Sequence, residues 1–137
     1  MALYDGNVGY WCCGPDAYPG WCDPVETPPA CGSCNNFLVQ CSWPKLGDTG
    51  CNYTDGCLGQ IEGWCGQLIN VCAWCYERTI FDVPIVDCGP DQNYFCWEQS
   101  HDCLWWRPPL ADLSPAAFSL LAPMEMGRIS VTVETHF

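Results

Sequence analysis

The chain has 137 residues, a length for one domain, here taken as residues 1–137. Sixteen acidic residues against four basic ones give a net charge of −12. That balance argues against nucleic acid, whose phosphates must be neutralised by Lys and Arg, and against adhesion to an anionic membrane; no apolar run is long enough for membrane insertion. Fourteen cysteines, an even number and about a tenth of the chain, imply an extracellular, oxidising compartment with up to seven disulfides.

In chain order, residues 2–11 read as a first strand. The start lacks the basic and apolar regions of a secretory leader. The expectation is a leader removed upstream, unconventional export, or a hyperthermophilic host that tolerates intracellular disulfides. Residues 11–66 read as loop, dense in Cys, Gly, Pro, Asn and Asp, with one apolar run at Phe37–Val39 that suits a helical turn or a short strand. Asn52-Tyr53-Thr54 is a glycosylation sequon. Strands are expected at 67–72, 75–81 and 83–87, with a tight hairpin near Asp82. A second loop, 89–109, carries Cys96 and Cys103.

The longest cysteine-free stretch follows, from Leu110 to Val133. Ser114 suits an N-cap, and Pro115 suits the first helical position, where its missing N–H costs nothing. Leu113 and Phe118 have the spacing of a hydrophobic staple. Pro123 ends the helix and Gly127 permits a turn back. Ile129, Val131 and Val133 then alternate with polar residues, the period of a half-buried strand. Asp112 falls just before the helix, near its positive end.

Three motifs carry a family resemblance. They are Cys72-Ala-Trp-Cys75-Tyr-Glu-Arg-Thr, Val83-Pro-Ile-Val-Asp87-Cys88-Gly-Pro90, and Asp112-Leu-Ser-Pro-Ala-Ala-Phe followed by a glycine and an apolar strand. In this order they resemble the double-psi β-barrels of expansins, loosenins, barwin-like proteins, RlpA-like lytic transglycosylases and family 45 endoglucanases. Gly63-Trp-Cys-Gly-Gln67 is similar to a segment of small family 45 enzymes. The likeness is clearest over residues 63–133. It implies an all-β, six-stranded double-psi β-barrel with one or two short helices and long disulfide-stapled loops.

The resemblance also implies a groove where Asp87 and Asp112 converge. Asp112 stands at the general-acid position of family 45. An inverting glycosidase needs a second carboxylate roughly 6.5–9.5 Å away as base. The family's base segment is here Gly9-Tyr10-Trp11-Cys12-Cys13, with cysteine in place of aspartate, so Asp5 is the nearest substitute. Leu3 replaces the first-strand threonine of expansins, and Gly89 replaces an aromatic. The alternative role for the two aspartates is structural, with Asp87 bonding turn amides and Asp112 capping the helix.

Aromatic residues make 14% of the chain. Their faces suit sugar rings, and Tyr4, Trp64, Tyr76, Trp97, Trp105 and Trp106 are the candidates for binding a glycan; packing on cystines and subunit contact are the competing uses. Cys31-x-x-Cys34 and Cys72-x-x-Cys75 lie too far apart for an ordinary zinc site, so no metal and no cofactor is expected. An even cysteine count argues against a free nucleophilic thiol.

Three functions follow as expectations. The first is an expansin- or loosenin-like protein that binds cell-wall polysaccharide, β-glucan or peptidoglycan, without efficient hydrolysis. The second is a structural subunit of an extracellular filament, sheath or coat, a homopolymer partnered by copies of itself. The third is a family 45-type hydrolase or a lytic transglycosylase with Asp112 as acid. A barwin-like or protease-inhibitor binding module is a further possibility with no distinct signal.

Overall fold

A computed structural model describes residues 2–45, 63–91 and 109–137. Six strands are present: β1 (Ala2–Tyr10), β2 (Cys41–Lys45), β3 (Leu68–Ala73), β4 (Arg78–Asp91), β5 (Pro109–Leu113) and β6 (Arg128–Thr135). They close into a barrel in the order β1-β5-β2-β4-β3-β6. The pairings β1–β5 and β2–β4 are parallel, and the others are antiparallel. This is the all-β, six-stranded barrel that the sequence leads one to expect. Closure leaves no unpaired sheet edge, which matters for a chain this short.

The interior follows from alternation. Ile129, Val131 and Val133 of β6 and Ile69, Val71 and Ala73 of β3 are buried, as are Val83 and Ile85 of β4. A helix, α1 (Pro115–Leu121), contributes Ala117, Phe118 and Leu121 to the same core. It begins as the sequence predicts: Ser114 Oγ accepts the Ala117 amide at 3.3 Å, and Pro115 is the first helical residue. A short 3₁₀ turn (Met124–Met126) and Gly127 at φ 67° then return the chain to β6.

Two features differ from expectation. The region 11–66 contains a full strand, β2, with Cys41 and Trp43 completely enclosed in the core. Five residues are too few for periodicity to register, and Pro44 disguises them. Pro44 is tolerated because β5 pairs only with Cys41 and Ser42, and the β4 pairing is irregular between Trp43 and Lys45. The hairpin near Asp82 is instead a bulge. Ile69 pairs with Val83 and Val71 with Ile80, so Phe81 and Asp82 together oppose Asn70. Asp82 sits at φ 55°, and its amide donates to Asn70 Oδ1 at 2.9 Å. The true turn lies at 74–77, between β3 and β4, where Glu77 has φ 50°.

The cysteines divide into bridged and free. Cys12–Cys22, Cys13–Cys34 and Cys31–Cys65 are disulfides, and Cys75 and Cys88 are also bridged. Cys41 and Cys72 are free thiols, the first buried and the second exposed on β3. An even count therefore hid two unpaired cysteines among the described residues. Cys41 behaves as a small hydrophobe: burial pushes its thiol far above the ordinary range, and its Sγ lies 3.5 Å from the Pro84 carbonyl. Among the described residues, no helix is long and apolar enough to cross a membrane.

Candidate functional site

The barrel register brings five positions into one row, two of them the candidate aspartates Asp87 and Asp112. Gly9 of β1 pairs with Arg128 of β6 on one side and Asp112 of β5 on the other. Ser42 of β2 pairs with both Asp112 and Asp87 of β4. Adjacent strands lie about 4.8 Å apart, so the Asp87 and Asp112 backbones are about 10 Å apart across Ser42. Asp5 is four residues up β1 from Gly9, roughly 13 Å along the strand.

Each carboxylate is engaged by the protein. Asp112 Oδ1 lies 3.6 Å from Arg128 Nη2, and both side chains are only about 15% exposed. Arg128 Nη1 donates to the buried Asn7 Oδ1 at 2.7 Å. Gly9 leaves this pair its room: a Cβ there would sit 3.0 Å from Arg128 Nη2 and 3.1 Å from Asp112 Oδ1, so the side chains would have to give by a few tenths of an ångström. Asp87 Oδ1 accepts the Ala30 amide at 2.9 Å and the Cys88 amide at 2.8 Å. It ties the 11–40 segment to β4. Asp5 Oδ1 accepts from Thr132 Oγ1 at 2.8 Å, whose oxygen in turn accepts Trp74 Nε1 at 2.7 Å. Asp112 does not cap α1; Ser114 does. Arg128, Gly9 and Ser42 were not legible as partners of the aspartates, because their proximity comes from strand register alone.

The described aromatic candidates fall on three different segments. Tyr4 is half-buried on β1, and Tyr76 packs against the core from the β3–β4 turn. Trp64 is exposed in the turn before β3, with its amide donating to Gln67 Oε1 at 2.7 Å. Trp97, Trp105 and Trp106 lie outside the described residues.

A different apolar surface is present on the lobe formed by residues 11–40. Trp21, Phe37 and Leu38 are 39%, 54% and 53% exposed. Phe37 packs on Tyr18 with ring centroids 5.0 Å apart. Trp21 meets Tyr10 edge-on at 6.2 Å, and Tyr10 meets the buried Phe118 at 5.5 Å. Trp21 is thus anchored to the core through Tyr10. Nearby, the lobe holds a cleft of about 410 Å³ whose lining includes Val25, Pro28, Pro29 and Cys34. The signal for the patch was present as the run Phe37–Val39 after two asparagines, a turn-forming pair. Among the described residues, no three His, Cys, Asp or Glu side chains are grouped to hold a metal.

No protein-family model and no curated protein sequence matches the chain. Among solved structures, Streptomyces papain inhibitor matches with a TM-score of 0.56 and 21% identity, over 97% of this chain and 93% of the inhibitor. At that identity the likeness shows a shared fold: a small, disulfide-rich barrel similar to an inhibitor-type protein.

Proposed function

We propose that this is an extracellular, non-hydrolytic binding module of inhibitor type, directed at a papain-like protease. The observation that carries this reading is the exposure of three large apolar side chains, Trp21, Phe37 and Leu38, on a lobe stapled by Cys12–Cys22 and Cys13–Cys34. Large apolar side chains exposed on a tied-down segment suit an interaction site, because preorganisation lowers the entropy lost on binding. The engagement of Asp112 by Arg128 and of Asp87 by two amides favours binding over hydrolysis. The disulfides support an oxidising, extracellular setting. Papain enters from the name of the structural neighbour. The test is titration of papain acting on a small peptide substrate. Saturable loss of activity is expected, and full activity at high micromolar protein overturns the reading.

A second reading, binding of β-glucan or peptidoglycan, is favoured by the Asp112–Ser42–Asp87 row, in which the two aspartates stand on the strands either side of β2. Pull-down on insoluble cellulose and on peptidoglycan tests it. Retention lost in Asp112→Asn, without release of reducing sugar, is the expected result for that reading.

A further inference from the structure

We infer that the turn at residues 35–40 is the recognition element of the lobe. Its partner is a protein with a concave apolar pocket rimmed by Lys and Arg. This assignment rests on the inhibitor reading and specifies which residues perform it.

The turn is fixed from every side. The Phe37 amide donates to Asn35 Oδ1 at 2.8 Å, and the Leu38 amide to the Asn35 carbonyl at 3.1 Å. Asn36 is completely buried; its Oδ1 accepts the Cys13 amide at 2.7 Å, and its Nδ2 donates to the Asp16 carbonyl at 2.9 Å. The Asn36 carbonyl accepts the Ala116 amide at 3.2 Å. Ser114 completes the clamp. Its hydroxyl donates to the Leu38 carbonyl at 2.6 Å and accepts the Gln40 amide at 3.1 Å, besides capping α1. One hydroxyl thus uses its donor and both acceptor sites, and locks the turn to the helix start.

Against this backbone, the two side chains at the tip, Phe37 and Leu38, are more than half exposed. An apolar pair displayed on an immobilised turn pays little entropy when it enters a pocket. The charge of the lobe selects the pocket's rim. Residues 12–38 contain Asp16, Asp23 and Glu26 and no Lys, Arg or His, and all three carboxylates are on exposed residues. A basic rim therefore favours encounter, and an acidic one opposes it.

The experiment measures binding to papain by wild type, by Phe37→Ala/Leu38→Ala, and by Phe81→Ala, which removes a still more exposed aromatic from β4. Unchanged thermal melting establishes that the variants are folded. The tip variant is expected to bind about 30-fold more weakly or worse, as for hot-spot residues, while Phe81→Ala stays within about twofold. Asp23→Lys/Glu26→Lys is expected to slow association and flatten its salt dependence. Wild type that does not bind papain overturns the inhibitor reading and this assignment with it. Wild type that binds while the tip variant binds equally well overturns the assignment alone.

Discussion

The barrel and the 11–40 lobe are held by different physics. In the barrel, aliphatic side chains fill a closed interior and the strand ladders satisfy the backbone; Val8, Ile69, Val131 and Val133 are fully buried without a disulfide among them. In the lobe, Trp21, Phe37 and Leu38 face outward, and order comes from disulfides and from side chains that bond the backbone: Asn35, Asn36, Gln40, Asp87 and Ser114. A closed sheet can neglect its loops. A segment without a core must be tied at many points, and each tie is individually removable.

That contrast can be broken from either side. The largest effect is expected at the junction of the two regions. Phe118→Ala opens a cavity in the core and removes the ring that supports Tyr10, so chemical denaturation should show a loss of about 3–5 kcal/mol. Cys13→Ser with Cys34→Ser should cost about 2–4 kcal/mol. Its signature should be regional: amide exchange speeds up across residues 13–38 while β3 and β6 remain protected.

Smaller changes sharpen the comparison. Gly9→Ala should destabilise by about 1–3 kcal/mol, because the new methyl meets Arg128 and Asp112. Shortening the arginine in the same chain, Arg128→Ala, should recover part of that loss, so the two changes should be non-additive in a double-mutant cycle. Ser114→Ala should cost about 1–2 kcal/mol through the lost cap and the orphaned Gln40 amide, with faster exchange at residues 38–40. The thiols should differ without any change in stability. Iodoacetamide at pH 8 should label Cys72 in the native protein. Cys41, held neutral by burial and closed to the reagent, should label only after unfolding. Labelling of Cys41 in the native state would falsify its placement in the core.

What was legible in the sequence was local. Alternation gave β6, and capping chemistry gave α1 with Ser114, Pro115 and Pro123 in their expected places. The motifs around Cys72, Asp87 and Asp112 carried the barrel. These signals survive because each is a property of a few consecutive residues.

Tertiary structure alone decided the rest. β2 is a strand because its neighbours β4 and β5 pair with it, and its own five residues include a proline. Cys41 is a core residue because the barrel encloses it, whereas composition treats every cysteine as a bridge. The expected strands 75–81 and 83–87 are, from Arg78 onward, one element, β4, because Phe81 and Asp82 form a bulge opposite Asn70 instead of a turn. Asp112 faces Arg128 from 16 residues away, across β1, where the missing side chain of Gly9 leaves room. Sequence by itself determined the local caps and the alternation of β6, since these depend on short-range periodicity and side-chain chemistry, and the resemblance of its motifs implied the fold class. Register, thiol pairing and the exposure of Phe37 and Leu38 depend on which distant strands lie side by side, and that is fixed only when the barrel closes.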